Sequence, residues 1–476
     1  MNLLDSKPGR LVAFGALYLS EGLPGGFLMM AIATEIQRRG MEEPAVYGAF
    51  VSMLALPWIW KFMMGPLVDN IRLKRFGARK QWIVMAQSTM LIALGAALLQ
   101  LPDQIEIPKV DGSGFFATVE SLYLSGIGLF AGLLFLHNFF AATQDVAIDA
   151  LACQILREDE RGLANGVMFS CTHAGYLIGG SGVLWLKSSV GSFEASGLFV
   201  LGLMASILLG VIFFIKEKSA AQEIADGELP APEEGHSGWR AAIEQMVDYL
   251  KTTWKSVILS KNGFLTTILA LMPIGALALS MLLSALMAPR LGMTDNEIAA
   301  LNTASTAVFI PFCLLGGWLS DRFNRRLILA ITASMTVIPS IWIGLQFKQA
   351  GWDHPPMAGE GGMWPREEAL IASWWIATLA FSVFNGLKYA VKTAFYMDIV
   401  TPKIAATQFT ALMAMTNLTN IYSKVWQSQA LDTINGWNWT VSKLLFVDAA
   451  IGLLFLLILF FIKPTNEEKK ISEIPA

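Results

Sequence analysis

Glu21 stands near the middle of an apolar run from about residue 11 to 34, within Ser20-Glu21-Gly22-Leu23-Pro24-Gly25-Gly26. A charged side chain at the centre of a bilayer costs roughly 2.5–3.5 kcal/mol on insertion scales, so an ionisable residue there points to function. Pro24 lacks an N–H and the three glycines favour a bend. Backbone groups freed at that depth need protein or water beside them. Glu21 is therefore a candidate substrate contact or proton carrier at a central cavity. The alternative is a structural carboxyl paired with a neighbouring helix.

Other polar residues interrupt apolar runs in the same way. Asp145 and Asp149 are four apart and share a helix face, with His137 and Asn138 about two turns earlier. Their place near the end of a run suggests pairing with Arg75, Arg79 or Arg161, as a latch on one side of a gate. A proton relay is the sharper alternative. Asn385, Lys388 and Lys392 fall at i, i+3 and i+7 on one face. Two lysines in an apolar run would attract an anion such as a carboxylate or phosphate, unless they snorkel to the surface. Lys61 reads as a snorkelling residue. Asn417 and Asn420, with Gln408, Ser423, Lys424 and Gln427, suggest either a wet pathway or a buried hydrogen-bond network. The glycines from His173 to Gly182 have the small-xxx-small spacing of closely packed helices.

The elements that must position these residues are membrane spans. Of 476 residues, 54% are hydrophobic and only 15% charged, against roughly 25% charged in soluble proteins. Spans of roughly 20 apolar residues are expected at about 11–34, 45–68, 82–101, 121–143, 163–186, 194–215, 263–288, 298–319, 327–346, 371–395, 405–430 and 441–462. The fold class is thus all-α integral membrane, with twelve helices. Lys and Arg concentrate in the loops after even-numbered spans, which places those loops and both termini in the cytoplasm. The expected divisions are 1–215, a linker at 216–262, 263–462, and a tail at 463–476. Within the linker, Trp239 to Val257 has the spacing of an amphipathic helix at the membrane surface.

Several chemistries find no support. The net charge of −3 gives no case for nucleic acid. Cys153, Cys171 and Cys313 are isolated, without a zinc or disulfide pattern. No phosphate-binding loop, nucleophile elbow or HExxH occurs. No cofactor, metal or enzymatic reaction is expected, and any transport must draw on a gradient or on the solute itself.

The chain also repeats itself. Gly65-Pro66-Leu67-Val68-Asp69, followed by Arg72, Lys74, Arg75, Arg79 and Lys80, has a weaker copy in Gly317 to Asp321-Arg322 with Arg325-Arg326. The two aspartates lie about half a chain apart, as in duplicated transporters. Asp145 follows Asp69 by 76 residues and Asp398 follows Asp321 by 77, so Asp145 and Asp398 are pseudo-symmetric partners. Asp69, Arg79, Asp145, Asp149, Asp321, Arg322 and Asp398 are the expected cytoplasmic gate.

These loops resemble the loop 2–3 and loop 8–9 signatures of the major facilitator superfamily. Glu21-Gly22-Leu23-Pro24, Gln144-Asp145-Val146-Ala147-Ile148-Asp149, Glu160-Arg161-Gly162 and Asp398-Ile399-Val400-Thr401-Pro402 resemble its peptide/acetyl-coenzyme A transporter group, which includes AmpG-type muropeptide permeases. The resemblance implies two pseudo-symmetric six-helix bundles working by alternating access. It further implies proton-coupled import of anhydro-muropeptides or other anionic conjugates across the inner membrane, with solute, protons and lipid as the only partners. Glu21, Asn385, Lys388, Asn417 and Asn420 would line the pathway. Two alternatives are an acyl-CoA-type transporter and a non-transporting assembly or sensor protein on the same scaffold.

Overall fold

The computed structural model describes residues 2–40, 44–70, 77–105, 126–218, 247, 251, 261–281, 287–288, 290–352, 367–400, 405–431 and 437–462. The expected amphipathic helix apart from residues 247 and 251, the 353–366 part of the outer loop, the tail and the basic residues Arg72, Lys74 and Arg75 lie outside the described residues, as does the side chain of Asp69.

The elements are helices: α1 (Lys7–Arg38), α2 (Pro44–Trp60), α3 (Met64–Asn70), α4 (Lys80–Leu99), α5 (Gly128–Ile155), α6 (Arg161–Leu177), α7 (Val183–Val190) and α8 (Phe193–Phe214) in the first half of the sequence. The second half carries α9 (Lys261–Ala270), α10 (Ala278–Met281), α11 (Asp295–Arg322), α12 (Arg325–Met335), α13 (Val337–Gln349), α14 (Glu368–Ile399), α15 (Ala405–Leu431), α16 (Val441–Ile451) and α17 (Leu456–Leu459). The chain sorts into two compact units. One holds Met1–Leu156, Cys171–Thr253 and Thr401–Ala414; the other holds Arg157–Ser170, Trp254–Val400 and Met415–Ala476.

Seven helices among the described residues are long and apolar enough to cross a membrane: α1, α4, α8, α11, α12 with α13, α14, and α16 with its continuation to Leu459. The other five expected spans coincide with helices that fall short in length or in hydropathy. Two of these, α5 and α15, are long but carry the polar residues singled out above. The expected span 263–288 is not one helix: α9 ends at Ala270 and helix resumes only at Ala278. Pro273 and the left-handed Gly275 (φ +82°) lie in the break, where a proline lacks a donor and glycine alone adopts that φ without strain.

Side chains fix several starts. Ser6 and Ser192 accept from the amides of Gly9 and Ala195 to cap α1 and α8. Thr294 and Glu297 form a capping box on α11. The first unit packs around Leu23, Phe27, Leu94, Phe130 and Val200, with Phe27 stacked on Phe193 at 5.5 Å. The second packs around Ile343, Phe347, Trp374 and Leu444. At one end of the first unit, Arg39 bonds Glu35 (2.9 Å) and Glu194 (2.7 Å), and Lys187 pairs with Glu35.

The glycines of α1 and α6 do pack closely. A Cβ on Gly22 would meet the backbone carbonyl of Thr172, and one on Gly175 would stand 2.7 Å from the Gly22 carbonyl carbon. Both helices also contain a π-turn, at Phe27–Ile32 and just after Leu177 at Ile178–Gly182. Gly22→Val should therefore lower the unfolding transition of purified protein, with a cost of about 1–3 kcal/mol for overpacking. Gly202→Val, where a Cβ meets nothing within 4 Å, should leave it unchanged. Equal shifts in a thermal unfolding assay would contradict the packing account.

Candidate functional site

The first unit holds a cavity of about 260 Å³ lined by Glu21, Trp58, His137, Asn138, Thr172 and Tyr176, among others. The glycines let α1 approach α6 closely, and Glu21 on α1 lines the cavity. Glu21 Oε2 and His137 Nε2 are buried without a hydrogen-bond partner among the described residues. Asn138 Nδ2 donates to the Leu54 carbonyl at 2.8 Å, tying α5 to α2.

Beside this cavity is a knot of charge. Lys61, in the short 3₁₀ turn after α2, donates to Asp145 Oδ2 at 2.6 Å. The Tyr18 hydroxyl donates to Asp149. Glu21 is close enough to Asp145 for the two carboxyl groups to interact electrostatically. Gln87 and Gln144 both donate to Ser20 Oγ, at 2.9 and 3.1 Å. Three carboxyl groups thus face one ammonium.

This corrects two expectations. Lys61 does not snorkel: it is 4% exposed and ion-paired. Among the described residues of the first unit, Asp145 and Asp149 are joined to Lys61 and Tyr18 and not to Arg79, while Arg75 lies outside the described residues. The physical reason is depth: both acids are buried on α5, and a buried carboxylate takes the cation or donor that shares its pocket. Arg79 is itself fully buried and donates to the Val68 carbonyl at 2.5 Å.

The second unit contains the other charged constellation. Asp398 at the end of α14 accepts from Arg161 (3.0 Å) and Arg325 (2.6 Å). Asp321 accepts from the amides of Gly162 and Leu163, both at 2.7 Å, and from Arg325 at 2.7 Å. Acid at the first turn of α6 offsets its unpaired N–H groups and dipole. These bonds join positions up to 237 residues apart. Arg325 makes these ion pairs, whereas Arg322 is exposed and lies over the Trp318 ring. Position explains the difference: Arg322 is the last residue of α11, while Arg325 begins α12. Asp145 and Asp398, equivalent by the repeat, have different partners.

Deeper in this unit, Lys388, Lys392, Tyr396, Thr416, Thr419 and Asn420 line a cavity of about 30 Å³ beneath the break before α10. Asn385 and Asn417 are half-buried and line neither cavity. Asp448 on α16, not singled out from the sequence, is 2% exposed. It accepts from the amides of Leu277 and Ala278 (2.8 and 2.9 Å) and from Gln427 (3.0 Å). A lone acid in an apolar run was the signal for it, as it was for Glu21.

Comparison with known proteins follows the same lines. The family model described as Major Facilitator Superfamily matches residues 11–361. AmpG 4 of Rickettsia felis is 22% identical over 443 residues, covering 91% of this chain and 92% of that one. The anhydromuropeptide permease of Escherichia coli is 22% identical over 423 residues, 86% of this chain and 72% of the permease. Among solved structures, the proton:xylose symporter XylE superposes with a TM-score of 0.66 at 13% identity, covering 97% of each chain. The human organic anion transporter MFSD10 gives 0.59 at 12%, covering 96% and 100%.

Lys61→Met should cost about 3–5 kcal/mol, because it strands a buried carboxylate. Lys61→Met with Asp145→Asn should recover part of that loss. Unfolding of the two single variants and the double variant, read as a cycle, checks this; strictly additive losses would deny the pairing.

Proposed function

The chain belongs to the major facilitator superfamily, a multi-pass membrane transporter and not an enzyme, and from that premise we propose that it imports anhydro-muropeptide-like or other anionic conjugates together with protons. The observation that carries the proposal is Glu21. It lines the cavity of the first unit, has one oxygen without a partner among the described residues, and adjoins Asp145.

Charge balance supplies the mechanism. Lys61 balances one carboxylate. A second and a third ionised carboxyl at the same place would cost several kcal/mol each in the absence of water. A proton on Glu21 removes one such charge, and water entering the cavity lets that proton leave. Protonation of Glu21 therefore tracks which side of the membrane wets the cavity, as proton-coupled alternating access requires. Tyr18 holds Asp149 and Lys61 holds Asp145, which leaves Glu21 as the mobile proton site.

Asp398, Arg161, Asp321 and Arg325 form the latch of this scheme. Their bonds close in one state and part in the other. Buried charges that part need water, so the latch lies at the cytoplasmic edge of the inner membrane, with both termini on that side. Lys388 and Asn420 belong to the solute path. Similarity to the anhydromuropeptide permease supports the muropeptide class.

Uptake of labelled GlcNAc-anhydroMurNAc-peptide into vesicles should be abolished by a protonophore. Glu21→Gln should remove accumulation driven by the proton gradient while leaving counterflow exchange. Proton-driven accumulation by Glu21→Gln at the wild-type level would sink the assigned role. A folded wild-type protein that takes up no labelled muropeptide would reject that solute.

Asp398→Asn, which leaves Arg161 and Arg325 without their shared acid, should shift the balance of states. Cysteine labelling from the cytoplasmic side should rise severalfold near Gly162, whereas Arg322→Ala should leave it unchanged. The reverse pattern would remove the latch from these residues.

A further inference from the structure

The two lysines of α14 are not equivalent. Lys388 Nζ donates to the carbonyl of Ile274 at 3.0 Å, in the break between α9 and α10. Lys392 lies one turn further on, 7% exposed. Among the described residues it makes no hydrogen bond or ion pair, and its ammonium rests 4.9 Å from the centroid of the Tyr389 ring. That ring is held edge-on by Phe169 and Phe309, at 4.6 and 5.9 Å between centroids. Lys388 is committed to the backbone; Lys392 is held in place with its donors unused.

The segment Leu271 to Leu277 covers these lysines; the amides of Leu271 and Met272 still donate back into α9, and the rest is held from outside. The Thr419 and Tyr422 hydroxyls donate to the carbonyls of Ala270 (3.0 Å) and Leu271 (2.6 Å). Lys388 takes Ile274. The Ala276 amide donates to Thr336 Oγ1 at 2.9 Å, and the Leu277 amide to Asp448. Gly275 N–H donates to the Gly452 carbonyl at 2.9 Å. A backbone without its own helical bonds persists in a membrane only if neighbouring groups satisfy it. Each of these bonds is therefore also a handle by which the segment can be released.

We propose that Lys392 is the residue that receives the anionic group of the solute, and that Lys388 is the staple that holds the covering segment until that group arrives. The proposal rests on the anionic-solute reading above and assigns separate tasks within it. The cavity of about 30 Å³ has room for about one water. A carboxylate or phosphate enters only when Met272 to Leu277 shift. An anion on Lys392 stands one turn from Lys388 and competes with the Ile274 carbonyl for its ammonium. A charged acceptor makes the stronger hydrogen bond, so Lys388 turns to the anion, Ile274 loses its donor, and the segment is freed. Solute charge is thereby coupled to movement of the broken helix. No covalent chemistry is involved.

Two readouts separate the tasks. The first needs no ligand: maleimide labelling of Met272→Cys in protein whose Cys153, Cys171 and Cys313 are replaced by serine. Adding Lys388→Met should raise the labelling rate severalfold. Adding Lys388→Arg, which keeps a donor, or Lys392→Gln should leave it near the starting rate. The second readout is binding of GlcNAc-anhydroMurNAc-tripeptide, with its carboxylates free or amidated, to otherwise wild-type protein in nanodiscs. Amidation should weaken binding about tenfold or more, as expected for loss of a charged hydrogen bond. Lys392→Gln should bind both forms with the same weak affinity, while Lys388→Arg should still favour the free acid. Labelling that rises equally in Lys388→Met and Lys392→Gln, or Lys392→Gln that still prefers the free acid, would overturn the division. If folded wild-type protein binds neither form, the muropeptide reading fails, and so does the role given to Lys392 toward it; the staple then stands or falls on the labelling rates alone.

Discussion

Hydrocarbon offers no water to an unpaired backbone group or charge, and every irregularity in this chain is shaped by that constraint. A soluble helix can end where it likes, because solvent completes its last bonds. Here the end of α9 at Ala270 requires Thr419 and Tyr422 of α15, Lys388 of α14, Asp448 of α16 and Thr336 at the junction of α12 and α13. Satisfying those groups fixes the spacing of α13, α14, α15 and α16 around the break. The polar residues that make α15 a poor candidate span are in part the ones that complete another helix's backbone.

The same constraint sorts the charges. Lys61 and Asp145 are tolerable at depth because they neutralise each other at 2.6 Å. Asp448 is tolerable because three N–H groups point at its carboxylate. Glu21 and Lys392 remain incompletely satisfied among the described residues. Incomplete satisfaction costs stability, and a protein with no use for it would be expected to replace such residues with apolar ones of similar volume. One is an acid in the first unit and the other a base in the second. A proton suits the first, and an anionic group suits the second.

Much of the architecture was legible from hydropathy alone, because the bilayer imposes a length and a composition on each span. The fold class and the transporter family follow from that and from short motifs, and Glu21, an acid in an apolar run, lines a cavity. Pairings between helices were not legible. Nothing in the order of residues places Lys61 opposite Asp145, and a lysine at the end of an apolar run looks the same whether it snorkels or is buried. Repeat symmetry misled for a related reason: it equates positions of the backbone, whereas the partners of Asp145 and Asp398 come from side chains that the two halves do not share. The break at 271–277 was signalled by Pro273 and Gly275, but its apolar neighbours masked it in a count of apolar residues.

Glu21 and the α9–α10 break also share a design. Each lies where a span departs from a straight α-helix, at Pro24 with a π-turn in α1 and at Pro273 with Gly275 before α10. A straight helix at membrane depth has one arrangement of its backbone bonds and resists local change. A broken or π-turned helix has bonds that side chains already share, and exchanging one partner for another costs far less than opening an intact turn. The titratable groups stand beside the two segments that can respond to a change in their charge. In the proposed scheme, that placement lets a proton or an anion alter helix geometry locally.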